Sequence, residues 1–94
     1  MGVDYDEKKP IKVYVPVSAT FDSEGRMLPR KLRWEDGKVY TIDQILEMRP
    51  APSLKAGGQG DRYTIRINGQ QSFLFFERNP GFSGEIGRWF VERK

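Results

Sequence analysis

The residue types that carry most enzymatic and metal chemistry are scarce in this chain. Its 94 residues include no histidine and no cysteine. The commonest general base at neutral pH, the thiolate nucleophile and the commonest zinc ligands are therefore missing. Acidic residues in or beside predicted turns are Asp22, Glu24, Glu35, Asp36 and Asp43. They lack the Asp-x-Asp-x-Asp-Gly spacing of a calcium loop, and we predict a protein that is not an enzyme and has neither a metal site nor a cofactor.

A glycine-rich segment at residues 55–60 has the composition of a functional loop. Lys55 precedes the glycines, whereas a phosphate-binding loop ends in Gly-Lys-Ser or Gly-Lys-Thr and leads into a helix. The tripeptide Gly57-Gly58-Gln59 also occurs in peptide-chain release factors, but nothing else in this chain resembles those much larger proteins. We interpret these glycines as a tight or mobile bend.

Alternating apolar and polar positions predict the strands that would position any functional side chain. The clearest alternation runs from Ile11 to Phe21 and is typical of a strand with one buried face. Pro16 has no N–H to donate, so this strand should lie at a sheet edge or carry a bulge. Asn68-Gly69 is the strongest hairpin signal, and residues 72–76 after it are apolar on both faces, as expected of a central strand.

The first predicted turn sets the register of the first hairpin. A four-residue loop at 22–25 would place Phe21 opposite Arg26 and bring the apolar side chains of both strands together. In that register Arg30 points inward, and the neighbouring Pro29 marks a bulge that would rotate it outward.

The second predicted turn is a three-residue loop at 35–37. With Gly37 in the left-handed region of backbone conformation, this loop pairs Leu32 with Tyr40 and keeps apolar side chains on one face. A short strand at residues 45–49 follows, before the prolines that end it.

These elements predict an all-β fold of six or seven short strands. Strands at this density, joined by glycine turns, favour a small antiparallel barrel or a strongly bent sheet, with an SH3-like barrel as the leading topology. The chain is long enough for one modest hydrophobic core. We predict a disordered tail at residues 1–9, a single β domain at residues 10–94, and a long loop at residues 50–61.

Composition restricts where the protein works and what it binds. Without cysteines the fold has no disulfides, and no stretch approaches the roughly 20 apolar residues that span a bilayer. The amino-terminal residues also lack the apolar centre of a signal peptide, so we expect a cytoplasmic protein that does not enter membranes. The formal net charge of +3 favours polyanions mildly and excludes no partner.

Strand parity gathers basic and aromatic side chains on faces that point away from the core. In the predicted register the outer face of the first strands holds Tyr14 opposite Arg33, with two lysines beside them. If the Asn68-Gly69 loop has two residues, Arg62 also shares a face with Phe73 and Phe75, an arrangement typical of single-strand binders. We predict nucleic-acid contacts at Lys12, Tyr14, Lys31, Arg33, Lys55, Arg62 and Arg66.

Two other interpretations of the same pattern stay open. Basic residues on exposed strand faces also keep sheets soluble and prevent edge pairing. Alternatively, the chain is a protein-interaction module in which a strand edge or an aromatic groove binds an extended peptide.

Three stretches carry a resemblance to a known family: residues 34–43, 53–63 and 89–92, which read WEDGKVYTID, SLKAGGQGDRY and WFVE. Across residues 11–92 the chain resembles a family of small uncharacterised bacterial proteins found in clostridia and their relatives, a domain of unknown function. The middle stretch is the most specific. The resemblance implies a bacterial cytosolic protein with an all-β fold, and it brings no established activity and no functional residues.

Overall fold

The computed structural model describes residues 11–51, 60–78 and 86–93, which contain strands and turns and no helix. The strands are β1 Ile11–Tyr14, β2 Val17–Phe21, β3 Met27–Arg33, β4 Val39–Thr41, β5 Gln44–Pro50, β6 Gly60–Ile67, β7 Gln70–Arg78 and β8 Gly87–Arg93. The all-β prediction is confirmed. The described strands number eight rather than six or seven, because the first predicted strand breaks at Pro16 into β1 and β2.

The strands form two antiparallel sheets. The large sheet has the order β1-β8-β7-β6-β5, and the small sheet has the order β2-β3-β4. The residues predicted to form a central strand lie in β7, which has a neighbour on each side. β1 and β2 both lie at sheet edges, so the edge position predicted from Pro16 is confirmed.

The chain passes from the large sheet to the small sheet at Val15 and Pro16. The N–H of Val15 donates to the carbonyl of Trp89 in β8, at 3.0 Å. The carbonyl of Pro16 accepts instead from the N–H of Arg33 in β3, at 3.1 Å. Proline suits this corner because its missing N–H takes no donor away from either ladder.

A second corner returns the chain to the large sheet. The N–H of Ile42 donates to Arg30 in the small sheet, and the next N–H, that of Asp43, donates to Arg66 in the large sheet, both at 2.8 Å. Strands that switch sheets in this way make the corners of orthogonally packed β structures. Neither sheet closes into a barrel, so the SH3-like topology is not confirmed.

The predicted four-residue loop of the first hairpin is wrong. Phe21 lies opposite Met27, and Asp22 donates its N–H to the carbonyl of Arg26, so the loop has three residues, 23–25. Gly25 adopts a φ of 85°, which closes such a loop at no steric penalty because glycine has no Cβ.

A β-bulge restores the apolar alignment that this shorter loop would lose. The register shifts between Ser18 and Ala19, opposite Arg30, and beyond the shift Val17 lies opposite the buried Leu32. Arg30 is exposed. The bulge predicted beside Pro29 is therefore confirmed, and it rotates the arginine outward as expected.

The other two hairpins follow their predicted turn chemistry. Leu32 lies opposite Tyr40, and Gly37 has a φ of 88°. At the Asn68-Gly69 turn both residues have positive φ, and Ile67 lies opposite Gln70, which makes a two-residue loop.

The core lies between the two sheets. Tyr63, Ile65 and Leu74 of the large sheet are almost completely buried and pack in one cluster with Leu32 of the small sheet. The hydroxyl of Tyr63 donates to the carbonyl of Met27 at 2.6 Å, which ties the centre of one sheet to the other.

Two predicted segments lie outside the described residues. These are the tail at residues 1–9 and residues 52–59 of the long loop. The described ends of that loop are paired, since the N–H of Ala51 donates to the carbonyl of Gly60 at 2.9 Å.

Candidate functional site

The outer face of the large sheet collects four of the predicted contact residues. Lys12 and Tyr14 lie on β1, and Arg62 and Arg66 lie on β6. They alternate with core residues such as Val13, Tyr63 and Ile65, so they point away from the core.

The remaining predicted contacts do not join this face. Lys31 and Arg33 are exposed on β3 of the small sheet. The predicted pairing of Tyr14 with Arg33 is wrong, because β1 pairs with β8 and places Tyr14 opposite Phe90. Lys55 lies outside the described residues.

A row of side chains crosses the outer face from one edge strand to the other. From β1 to β5, directly opposed positions hold Tyr14, Phe90, Phe75, Arg62 and Arg49. At the usual strand spacing of about 4.8 Å, this row is about 19 Å long. Because the Asn68-Gly69 loop has two residues, the predicted sharing of one face by Arg62 and the phenylalanines of β7 is confirmed.

Four rings lie on this side of the sheet, and together we call them the aromatic face: Tyr14, Phe73, Phe75 and Phe90. Phe75 and Phe90 stack with ring centroids 4.9 Å apart and planes within 5°. Tyr14 meets Phe90 edge to face at 5.8 Å. Phe73 is 42% exposed and Tyr14 is 40% exposed, so the aromatic face reaches solvent on both β7 and β1.

Each of three cations lies over one ring of the aromatic face. The Cζ atom of Arg88 is 3.9 Å from the centroid of Tyr14, and that of Arg62 is 5.0 Å from the centroid of Phe73. The Nζ atom of Lys12 is 4.7 Å from the centroid of Phe90. These distances lie within the range of cation–π attraction, so the cations are held beside the rings and not dispersed over the surface.

Glu77 connects two of the side chains at the β1 end of this face. It accepts hydrogen bonds from the Tyr14 hydroxyl at 2.9 Å and from Lys12 Nζ at 3.0 Å. Partial burial raises the pKa of Tyr14 above its usual 10.0, and the hydrogen bond and negative charge of Glu77 raise it further. Tyr14 therefore stays a neutral hydrogen-bond donor throughout the physiological pH range.

Arg62 has capacity for a further hydrogen bond. Its Nε atom is buried and has no hydrogen-bond partner among the described residues. A buried donor without an acceptor is unfavourable, so a movement of the guanidinium that exposes Nε to an acceptor such as a phosphate oxygen would be favourable.

Two functional candidates escape prediction from local sequence. Arg88 and Phe90 belong to β8, which joins the face only because the last strand pairs with the first. Turn chemistry sets pairings between neighbouring strands and carries no signal for one between residues 11–14 and 90–93.

A cleft of about 760 Å³ opens beside the aromatic face. The ladder between β7 and β8 joins residues 75–78 to 87–90, and within the described chain residues 70–74 pair only with β6. The cleft lies where this ladder ends. It is lined by Leu32, Trp34, Tyr40, Ile67, Asn68, Gln70, Gln71, Ser72, Phe73, Phe75, Val91 and Glu92.

Backbone groups that have no ladder partner among the described residues border this cleft. In an antiparallel hairpin with a two-residue loop, alternate residues bond across the ladder, and Gln70, Ser72 and Leu74 do so with β6. The N–H and C=O groups of Gln71 and Phe73 therefore point toward β8, where the ladder has ended.

Neither a metal site nor a helical membrane span is found in the parts of the chain that the structure describes. Within residues 11–51, 60–78 and 86–93 no group of three acidic side chains could hold a metal ion. The same residues contain no helix with the length and apolar character needed to cross a membrane. In comparisons with known proteins, no family model matches the chain, and no curated protein and no solved structure is detectably similar to it.

Proposed function

We propose that the aromatic face binds single-stranded nucleic acid. The observation that carries this proposal is the pairing of partly exposed rings with cations across the large sheet, with Phe73 beside Arg62 and Tyr14 beside Arg88. Proteins that bind single strands combine a cationic track for the backbone with rings on which bases stack. Guanidinium planes also serve as stacking surfaces, so an arginine over a ring extends the platform.

The arrangement assigns separate roles to the side chains. Exposed Arg66 would hold a phosphate oxygen on β6. Arg62, whose Nε donor is buried while its guanidinium lies over Phe73, would hold another after moving off that ring. Phe73 and the Arg88–Tyr14 pair would each support a base. Lys31 and Arg33 lie on the other sheet, so a strand bound along the aromatic face would not contact them.

Three broader assignments belong to the same proposal. A barrel-like relation between the sheets is supported by the two corners at which the chain changes sheet. A bacterial source is supported by the sequence resemblance, and a cytoplasmic location by that resemblance and by the absence of cysteine.

Salt-dependent binding of a fluorescent thymidine nonamer tests the proposal. We expect affinity to fall steeply between about 50 and about 200 mM salt. The double variant Arg62→Gln, Arg66→Gln should weaken binding. It should also reduce the salt slope, which is the slope of log affinity against log salt concentration, by about 1.4, because each phosphate contact on a single strand contributes about 0.7. The matched control, Lys31→Gln, Arg33→Gln, removes the same charge from the small sheet and should leave the slope unchanged.

Two results would contradict this assignment. Equal losses in both double variants would mean that diffuse charge attraction, and not the aromatic face, holds the oligonucleotide. Undetectable binding at the lower salt concentration would end the nucleic-acid proposal and reduce the cations to a solubilising role.

An extended peptide is the second candidate ligand. It is favoured by the edge of β7 at residues 70–74, which has no ladder partner on the β8 side in the described chain. A peptide added as a strand would bond to the N–H and C=O groups of Gln71 and Phe73. Peptides selected from a random display library should lose binding to Gln71→Pro, which lacks the edge N–H, and keep binding to Gln71→Ala. Equal binding to both variants would exclude strand addition at this edge.

A further inference from the structure

The cleft between β7 and β8 shares two of its walls with the aromatic face. Phe73 and Phe75 line the cleft and also belong to the aromatic face, where Phe75 stacks on Phe90. A single strand of nucleic acid bound along the aromatic face would therefore pass the opening of the cleft. One unstacked base could enter it without leaving the aromatic face.

The lining of the cleft suits a neutral, planar ligand with polar edges. Rings come from Trp34 and Tyr40 as well as from the two phenylalanines, while the side chains of residues 68 and 70–72 are amides and a hydroxyl. Among the described lining residues there is no lysine or arginine, so the cleft offers no cation to a phosphate. Ring faces and amide groups together are what recognise unstacked nucleobases in single strands.

Glu92 is the single charged side chain among the described residues that line the cleft. Within those residues its carboxylate accepts no hydrogen bond and forms no ion pair, because Lys12, opposite it on β1, bonds to Glu77 instead. A free carboxylate favours a ligand edge that presents donors and no acceptor to its two oxygens.

We propose that the cleft binds one guanine base of the nucleic acid held on the aromatic face, with Glu92 as the residue that determines specificity. Guanine presents two adjacent donors on its Watson–Crick edge, N1–H and the N2 amino group, which match the two oxygens of a carboxylate. Adenine and cytosine place an acceptor beside their amino donor, and thymine places its donor between two acceptors. Gln71 and Phe73 line the same cleft, and their backbone N–H and C=O groups, which point toward β8, can form hydrogen bonds with the rest of the base.

The size of the cleft is compatible with this ligand. At about 760 Å³ it lies within the range of ordinary small-molecule sites, about 300 to 1,000 Å³. The open side between β7 and β8 leaves a path for the sugar and backbone to continue onto the aromatic face.

The proposal rests on nucleic-acid binding, and its test compares three nonamers that differ only at the central base. These carry thymine, guanine or hypoxanthine, which keeps N1–H and lacks the N2 amino group. We expect the guanine nonamer to bind the wild-type protein about tenfold more tightly than the thymine nonamer, with hypoxanthine between them. In Glu92→Gln this ratio should fall to about one, whereas Glu24→Gln, which removes an equal charge from a distant hairpin loop, should keep it.

The readout is the ratio of affinities, so a general gain in affinity on removing a negative charge does not affect the result. Equal binding of the guanine and thymine nonamers by the wild-type protein would overturn the guanine assignment and leave the proposed function standing. A preference that persists in Glu92→Gln would remove Glu92 from its role. Undetectable binding of every nonamer would overturn both proposals together.

Discussion

The hydrogen bond between Tyr63 and Met27 provides a direct test of how the two sheets are held together. Replacing Tyr63 with phenylalanine removes only the hydroxyl group that donates to the Met27 carbonyl at 2.6 Å. The ring is 1% exposed and packs on Trp89 with centroids 5.3 Å apart, and phenylalanine keeps these contacts. The substitution therefore isolates one bond between the sheets.

The expected loss of stability follows from the surroundings of the two groups. A neutral hydrogen bond contributes about 1 kcal/mol net, and an acceptor left buried without a partner costs about 1 to 3 kcal/mol. Met27 is half-buried, so water can reach its carbonyl in part, and the lower end of that range applies. We expect Tyr63→Phe to lower the free energy of unfolding by about 1.5 kcal/mol.

Urea unfolding followed by tryptophan fluorescence measures this loss. With a slope of about 1 to 2 kcal/mol per molar urea for a domain of this size, the midpoint should fall by about 1 M and the slope should not change. Tyr40→Phe is the matched control, because Tyr40 is half-buried and no hydrogen bond of its hydroxyl is found in the described chain. A midpoint for Tyr63→Phe equal to that of the wild type would refute the view that this bond couples the sheets.

The remaining predictions concern the core, the backbone and titration. Leu74 is 0% exposed, so Leu74→Ala should lower the free energy of unfolding in urea by about 3 kcal/mol. The control is Leu46→Ala, at a position 38% exposed, which should lower it by less than about 1 kcal/mol. Gly60→Ala should lower the free energy of unfolding by about 2 kcal/mol or more, because a Cβ there would lie 2.3 Å from the Phe76 carbonyl oxygen. Gly37→Ala has no such clash and should cost about 1 kcal/mol, the strain of an alanine at a φ of 88°. Desolvation by burial, and then the charge of Asp61, raises the pKa of Tyr63 from 10.0 to about 12. The contribution of Tyr63 to the free energy of unfolding should therefore be complete below pH 10, where the tyrosine of the unfolded chain is still neutral, and should be lost between pH 10 and 12. If Tyr63→Phe lost stability over the same pH range to the same extent, the decline would not come from Tyr63. Glu77→Gln should lower the pKa of Tyr14 in an ultraviolet titration, since it removes the negative charge that raises it, and an unchanged titration would exclude that coupling.

Local sequence chemistry predicts this fold wherever neighbouring residues determine the geometry. Positive φ at Gly37 and at Asn68-Gly69 follows directly from residue type, and both turns have their predicted lengths. The same chemistry applies to Gly25, where the predicted loop is one residue too long. The predicted bulge beside Pro29 makes the shorter loop compatible with the apolar pattern, but that pattern does not show that the bulge and the shorter loop occur together.

The candidate site is less predictable because it depends on contacts between distant parts of the chain. The alternation of side chains along each strand predicts the contact residues on β1 and β6. These residues become one surface only because β7 and β8 lie between the two strands. The corner at Pro16 separates Lys31 and Arg33 from Tyr14, a division that an alternating pattern running from Ile11 to Phe21 conceals. The cleft depends on where the β7–β8 ladder ends, and no sequence motif marks that point.

The cations over the rings do not prevent base stacking on the aromatic face. A cation–π contact at an exposed site contributes about 0.5 to 1 kcal/mol, whereas a base stacked on an aromatic ring contributes about 1 to 3 kcal/mol. A base that takes the place of Arg62 over Phe73 therefore gains more than it displaces, and the freed guanidinium can then bond to a phosphate. If the arginine only shielded the ring, Phe73→Leu would leave oligonucleotide affinity unchanged; if the ring is a stacking platform, the same change should weaken binding by about tenfold with no change in the salt slope.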